Sequence, residues 1–477
     1  MNLRNLTIAS VLLAVAGTTL PVLAEQPQPV SEPGAPATAP AAPPDQTGIE
    51  PAVEPSPVPP AEAVPSGEPA TEPVSAAPAE EKPKASVSAD EKGFTLKAAG
   101  DPSPFVLKLR LVAQLDARKY MDELHVNDTM APRRLRPYLD GTVIGLVDYR
   151  LLVDFAGSAA VVYDAYVDVH PKPWLRFRFG KFKTPIGLER LQSDPDLPFT
   201  ERAMTSALTP DRDVGLQIWG DVLGGFISYA VGVFDGAPDS GHFDTDIGGE
   251  KDFAGRLLFQ PFKLPGLEKL GNLGVAIAGT YGKRNGTASA TGTSLGAART
   301  VGRLPLFSYK TNAMDATMNV FAEGPQSRIN PELFYYIGGL GLLGEAVWSK
   351  QEVHAGAEDT ELTHFAWHAT ASYVIGGKNG LDGATPDASL DFSKGQLGAL
   401  EIGVRYHEID YDDDSFPTYA GGTSVSGAKG VGICLNWAWS RMFRLMVDFE
   451  QTQFDGGAMT GDRDDENVVV GRAQVVF

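Results

Sequence analysis

Apolar and polar residues alternate with a period of two over most of the chain. In residues 105–116 every odd position is apolar, whereas even positions include Lys108 and Arg110. Successive side chains of a β-strand point to opposite faces, so this segment is predicted to be a strand with one apolar and one polar face. The same alternation recurs in residues 147–155 and 161–170. No helical period fits these segments.

Further candidate strands continue to the end of the chain. They cover residues 174–182, 214–222, 225–234, 252–262, 273–284, 329–337, 342–353, 364–375, 400–410, 430–440, 443–454 and 467–477. Most have about ten residues, the length of a tilted strand that crosses a bilayer. Tight connections such as Leu223-Gly224 alternate with long loops rich in Gly, Asp and Ser, such as residues 285–306. This pattern favours a transmembrane antiparallel β-barrel over a soluble β-sandwich.

Composition supports the barrel and excludes other classes. Aromatic residues such as Trp174, Tyr373 and Trp437 fall near predicted strand ends, where interfacial girdles lie. The net charge of −20 argues against a protein that wraps nucleic acid. The single cysteine excludes both an internal disulfide and a thiolate zinc cluster.

The N-terminal part of the chain has a different character. Residues 1–24 contain Arg4, an apolar run and the small residue Ala24, which predicts a cleaved signal peptide. Residues 25–92 hold 17 of the 36 prolines and no aromatic residue. Such a segment cannot bury enough apolar surface to fold, so we expect a disordered Pro/Ala/Glu-rich linker before a barrel at residues 93–477. The linker is an inert spacer or an arm that reaches the cell wall.

Several motifs resemble the phosphate-selective porin O and P family. The resemblance rests on Phe179-Gly180-Lys181-Phe182-Lys183-Thr184-Pro185-Ile186-Gly187-Leu188-Glu189-Arg190-Leu191, on Thr200-Glu201-Arg202-Ala203 and on Asp211-Arg212-Asp213-Val214-Gly215. It continues through Ala254-Gly255-Arg256 to the terminal Arg472-Ala473-Gln474-Val475-Val476-Phe477. The resemblance implies a barrel of about sixteen strands, usually a trimer, in the outer membrane of a Gram-negative bacterium. It also implies that the segment after Arg190 folds inward.

In that family, basic residues on the wall and on the inward segment pass anions along the channel. The polar alternation and these motifs give eleven candidates for anion binding. They are Lys108, Arg110, Arg134, Arg136, Arg150, Arg176, Arg178, Lys181, Lys183, Arg190 and Arg256. Guanidinium groups match the geometry of phosphate oxygens. Each of these bases could instead be a wall charge paired with a neighbouring acid. Asp194-Pro195-Asp196 also departs from the pattern of phosphate-preferring relatives, which tend to have another lysine after the position of Arg190.

Other motifs carry weaker chemical hypotheses. Residues 292–296 match the G-x-S-x-G pattern of a serine nucleophile but lie in a Gly- and Ala-rich loop, so we expect no catalysis. His364 and His368 are expected to be wall residues, and Cys434 an inert thiol. The acidic loops around Asp412 and Asp464 could bind calcium but are expected to be solvated. We therefore expect no cofactor and no metal site.

The sequence thus predicts an outer-membrane diffusion channel that prefers anions, with phosphate as a candidate solute. The expected partners are small inorganic anions, outer-membrane lipids, two further copies of the chain in a homotrimer and the cell wall through residues 25–92; nucleic acid is not expected. The alternative is a plugged or weakly selective barrel that acts mainly as a structural tether.

Overall fold

The computed structural model describes residues 85–100, 103–121, 127–242, 249–289, 292–312 and 314–477. The predicted signal peptide and most of the predicted linker therefore lie outside the described residues. The strands are β1 Ser86–Asp90, β2 Gly93–Lys97, β3 Phe105–Tyr120, β4 Thr129–Val143, β5 Val147–Asp154, β6 Val161–Lys172, β7 Leu175–Lys183, β8 Arg212–Val222, β9 Ile227–Phe234, β10 Asp252–Phe259, β11 Asn272–Asn285, β12 Ala297–Arg299, β13 Pro305–Ser308, β14 Phe321–Ile337, β15 Leu340–Ala355, β16 Glu358–Ile375, β17 Gly377–Lys378, β18 Thr385–Pro386, β19 Ala399–Asp410, β20 Val425–Ala438, β21 Phe443–Gly456 and β22 Glu466–Val476.

Sixteen of these strands form a closed antiparallel barrel, as the sequence predicts. Each strand from β3 to β11, then β14 to β16 and β19 to β22, pairs with the next, and β22 pairs with β3 in the register Arg472↔Asp116. Outward positions are apolar and exposed, as with Leu216, Val231 and Ile277. Closure leaves no free strand edge in the barrel wall, which is what a bilayer requires.

Strand β4 is the one barrel strand that the alternation did not reveal. Pro132 and Pro137 interrupt its pattern, and the β3–β4 register shifts between Gln114 and Leu115. Gln114 pairs with Arg134 while Leu115 pairs with Pro132, so Arg133 is an extra, bulged residue. The bulge accommodates the proline, which cannot donate a ladder hydrogen bond.

The hairpin of β1 and β2 is not part of the sixteen-stranded wall, but it pairs with β3 next to the place where β3 and β22 close the barrel. Residues 86–90, which were expected to belong to the linker, form β1. The last proline of the linker is Pro83, so every residue of this strand has a backbone N–H group that can donate to a neighbouring strand. Strand β2 pairs with β3 beyond the point where β22 ends, in the register Phe94↔Leu109. Phe94 and Phe477 then meet edge to face at 6.2 Å. The hairpin thereby continues the sheet past the C-terminus.

Two connections occupy the interior of the barrel. Residues 184–211, here the inward segment, contain the single helical turn α1 Leu188–Leu191 and the 3₁₀ turns Asp194–Asp196 and Met204–Leu208. The hairpin of β12 and β13 covers the rim opposite to Phe477. Both contribute to one apolar cluster, in which Met204 and Phe307 pack with Val347 of the wall. No helix in the described residues has the length and apolar composition to cross a membrane.

Candidate pore constriction

The wall on the β14–β21 side binds the backbone of the inward segment. The Glu345 carboxylate accepts hydrogen bonds from the backbone N–H groups of Leu188 and Glu189, at 2.7 and 3.3 Å. His407 accepts from Met204 N through Nδ1 at 3.1 Å. The irregular segment has few partners of its own for these groups, and an unpaired buried N–H is costly. Inward polar residues of the wall therefore fix the position of the segment.

Donors on the wall satisfy the carbonyl groups of the same segment. Arg405 donates to Glu201 O, and Arg472 donates to Thr200 O. Gly432 makes room for Phe199, because a Cβ there would lie 2.9 Å from the Phe199 ring. The guanidinium of Arg405 lies 4.2 Å from the centre of that ring, so it both packs on and hydrogen-bonds the segment.

Two cavities of similar size lie in the interior, mainly on the β3–β8 side. The proximal cavity, nearer to Phe477, has a volume of about 310 Å³ and is lined by residues such as Arg150 and Arg178. The distal cavity has a volume of about 290 Å³ and is lined by residues such as Arg133 and Arg299. Arg136, Asp194 and Arg212 line both cavities. These three residues form the partition between the cavities, and we define them as the constriction.

Asp194 is the central anion of the constriction. Its carboxylate forms ion pairs with Arg134 at 3.0 Å, with Arg136 and with Arg202. Burial would raise the pKa of this carboxyl, but Arg134, Arg202 and Arg136 hold it well below the usual range. Asp194 therefore remains charged, and one carboxylate is shared by three guanidinium groups.

A second anion, Glu201, supports the distal cavity. Its carboxylate contacts Arg133 at 2.5 Å and Arg118 at 3.3 Å, and Arg472 lies 3.6 Å away. Arg472 is also held by Asp116 in two hydrogen bonds. Burial would raise the pKa of Glu201, but Arg133 and Arg134 hold it well below its usual range. Glu201 thus anchors the inward segment to β3, β4 and β22.

The structure places the eleven predicted residues in two groups. Seven of them line a cavity: Arg134, Arg136, Arg150, Arg178, Lys183, Arg190 and Arg256. The other four are Lys108, Arg110, Arg176 and Lys181, which line neither cavity. Lys181 shares the strand parity of outward Phe179, and its ammonium donates to Val162 O at 2.7 Å. Arg176 faces inward but is bound by Asp148 and Asp168.

Five arginines line the cavities without having been predicted: Arg133, Arg202, Arg212, Arg299 and Arg303. Arg133 has the wrong parity for an inward residue, and only the β-bulge brings it to Glu201. Arg202 lies in the inward segment, where no alternation applies. Arg190 forms its ion pair with Asp211, at 3.7 Å.

Basic side chains outnumber acids around both cavities. Six bases and two acids line the proximal cavity, and eight bases and three acids line the distal one. Together, with shared residues counted once, these are twelve bases and four acids. Four further acids line neither cavity but form ion pairs with bases that do. They are Asp140, Asp154, Asp168 and Glu332. With these acids included, twelve bases stand against eight acids, so the charge around the cavities remains positive.

The serine motif does not form a nucleophile. Ser294, Asp239 and His364 border one cavity of only about 20 Å³. His364 Nε2 bonds to Tyr309 Oη at 2.9 Å, and Nδ1 accepts from Asp412 N at 3.2 Å. Both imidazole nitrogens are therefore occupied by partners other than the serine. Cys434 is buried in the wall.

Comparisons with known proteins agree with this architecture. The model of the family described as phosphate-selective porin O and P matches residues 106–477. A search of curated proteins found no significant match. The outer membrane channel DcaP of Acinetobacter baumannii is similar in structure, with 12% identity, a TM-score of 0.51 and coverage of 78% of this chain and 97% of that one. An anion-selective porin from Comamonas acidovorans has 12% identity, a TM-score of 0.50 and coverage of 78% and 100%. OmpT of Vibrio cholerae lacking loop L8, an outer membrane protein, has 11% identity, a TM-score of 0.50 and coverage of 79% and 100%.

The sixteen-stranded barrel and the two cavities inside it define a porin, a class of channels in the outer membrane. The chain belongs to the phosphate-selective porin O and P family. This membership confirms the family that the sequence motifs indicated, and the family is one of channels rather than enzymes.

Proposed function

We propose that the protein is an anion-preferring diffusion channel whose filter is the constriction of Arg136, Asp194 and Arg212. The observation that carries the proposal is the excess of bases around both cavities, twelve against eight acids. Opposite charges 4 Å apart attract by about 4 kcal/mol at an effective dielectric constant of 20. A permeating anion therefore gains attraction along the passage, whereas the acidic outer surface is screened within about 8 Å.

Phosphate is one candidate solute, and the anion-selective porin from Comamonas acidovorans is consistent with an anionic one. Asp194 lowers the expected preference for multiply charged anions, because its carboxylate lines both cavities and repels them there. We therefore propose a general anion channel in which phosphate selectivity depends on how strongly Asp194 is neutralised by its three arginines.

We also propose roles for the other parts of the chain. Residues 1–24 act as a cleaved signal peptide, residues 25–85 as a spacer that reaches towards the cell wall, and residues 86–477, which begin with the β1–β2 hairpin, as the channel. The barrel contacts outer-membrane lipids through its apolar outer face and assembles as a homotrimer, as is usual in the family that its motifs resemble.

Reversal potentials in a KCl gradient across a planar bilayer test the function. We expect the wild-type channel to prefer chloride, and the pair of changes Arg136→Glu and Arg212→Glu to shift the reversal potential towards cation preference. Arg441→Glu is the matched control, because Arg441 is an exposed residue in the turn between β20 and β21 and lines neither cavity. It should leave the reversal potential unchanged.

Three outcomes would contradict the proposal. A cation-selective wild-type channel would exclude anion preference, and unchanged selectivity in the double variant would remove the filter from the constriction. A folded barrel without conductance would favour the structural tether instead. A heat-dependent change in mobility on SDS gels, which we expect of a folded barrel, would show that each variant is folded.

A further inference from the structure

Three consecutive wall strands place metal-binding side chains together at the rim opposite to Phe477. Glu323 lies on β14, His354 on β15 and Asp359 on β16. His354 Nδ1 lies 2.6 Å from Asp359 Oδ1 and 3.6 Å from Glu323 Oε2. One ligand atom from each residue lies within 4.8 Å of the others. Strand pairing fixes this arrangement, because His354 and Asp359 are directly paired in the β15–β16 ladder.

The imidazole of His354 is oriented by two contacts. Its Nε2 lies 3.2 Å from Gly356 O, and a carbonyl oxygen only accepts, so Nε2 carries the hydrogen. The ring also packs against Phe321, with centroids 4.8 Å apart. Nδ1 therefore faces the two carboxylates. A backbone carbonyl that fixes the tautomer from the far side of the ring is a common support for a metal-ligating histidine.

We propose that Glu323, His354 and Asp359 bind a divalent transition-metal ion of the Zn²⁺ class. Zinc binds imidazole nitrogen and carboxylate oxygen at about 2.0–2.2 Å, which separates neighbouring ligand atoms by about 3.3 Å in a tetrahedral site. The two measured separations lie on either side of that value. An imidazole ligand disfavours Ca²⁺ and Mg²⁺, which take oxygen ligands. The ion replaces any proton on Nδ1, and water completes its coordination because both carboxylates are exposed.

The site has a structural consequence for the mouth of the barrel. Its ligands come from three adjacent strands, so a bound ion ties their ends together. An ion that binds only the folded chain stabilises it by an amount that grows with the logarithm of the ratio of its concentration to the dissociation constant. Zinc is therefore expected to raise the temperature at which the barrel loses its folded mobility on SDS gels.

Isothermal titration calorimetry with ZnCl₂ on the purified full chain, without a polyhistidine tag, tests the site. We expect one saturable site in the wild type that His354→Ala abolishes and Asp359→Asn weakens at least tenfold. Excess CaCl₂ should not displace the zinc. His170→Ala is the matched control, because His170 pairs with Asp148 at 3.2 Å but has Arg176 beside that carboxylate instead of a second acid. It should bind zinc like the wild type.

The folded mobility and the conductance of each variant establish that the barrel is intact. Exposed Asp359→Asn provides the answer if His354→Ala does not fold. Equal zinc affinity in the wild type and in the folded His354 or Asp359 variant would overturn the proposal, as would the absence of a saturable site in the wild type. Displacement of zinc by calcium would overturn the assigned class of metal.

Discussion

The two sides of the barrel interior use inward polar residues in different ways. On the β14–β21 side, residues such as Glu345, Asn330 and His407 bind the backbone of the inward segment, and apolar residues such as Val347 pack beneath it. On the β3–β8 side, arginines such as Arg136 and Arg212 border open cavities. The same alternation along a strand therefore yields a docking surface on one side and a charged passage on the other.

This difference shows that the inward segment determines where the passage lies. Its backbone requires acceptors and donors along one wall, whereas the other wall borders the two cavities. Asp194 and Glu201 belong to the segment but pair with Arg134, Arg133 and Arg118 of the opposite wall. The segment thus also neutralises part of the positive charge of that wall.

The largest expected effect comes from breaking the docking side with Glu345→Ala. Glu345 accepts from Leu188 N and Glu189 N, and also from Thr205 Oγ1 and Asn330 Nδ2. Each buried donor left without a partner costs about 1–3 kcal/mol. We expect a lower free energy of unfolding and a larger, noisier single-channel conductance as the segment leaves the wall.

Glu361→Gln is the control for this change, because Glu361 is an exposed carboxylate that pairs with Lys350. It should change neither stability nor conductance by a measurable amount. Wild-type conductance in a folded Glu345→Ala channel would show that other contacts suffice to hold the segment.

A smaller effect is expected on the passage side from Asp194→Asn. This change leaves Arg134, Arg136 and Arg202 without their shared anion, and breaking a buried ion pair costs about 3–5 kcal/mol. We expect reduced stability together with stronger anion preference, measured by chemical denaturation and by reversal potential. Exposed Asp387→Asn removes the same charge outside the cavities and should alter neither quantity. A shift towards cations in Asp194→Asn would contradict the role assigned to this residue.

The smallest effect concerns pH. Burial raises the pKa of Asp196 in the inward segment to about 7, although Arg444 opposes the shift. A carboxyl with a raised folded pKa stabilises the folded state fully below its unfolded pKa of about 4, and this contribution is lost as the pH rises to about 7. Asp194, with its lowered pKa, stays charged across that range. We expect the thermal midpoint of the wild type to fall between pH 5 and pH 8 more than that of Asp196→Asn.

The matched control for the pH experiment is again Asp387→Asn, which should keep the wild-type slope. Equal slopes in the wild type and in Asp196→Asn would contradict the raised pKa. Because one group is involved, the difference should be small beside the effects of Glu345→Ala and Asp194→Asn.

Much of the barrel could be predicted from local pattern. Strands such as β5 and β21 follow from alternation alone, and their observed bounds differ from the predicted ones by at most two residues. Strand β4 was missed because Pro132 and Pro137 interrupt its pattern. The alternation of polar and apolar positions correctly predicted that Arg136, Arg150 and Arg178 face the interior. It could not show which of the inward arginines border a cavity.

The sequence by itself determined the closed barrel, the inward positions of most wall arginines and the family, because strand alternation and short motifs are properties of neighbouring residues. Only the tertiary structure decided that Asp194 pairs with Arg134, Arg136 and Arg202, that a bulge turns Arg133 inward, and that Glu323, His354 and Asp359 meet at the rim. These contacts join residues on different strands and loops, and their geometry depends on barrel closure, register and the path of the inward segment. A period of two along one strand carries no information about them.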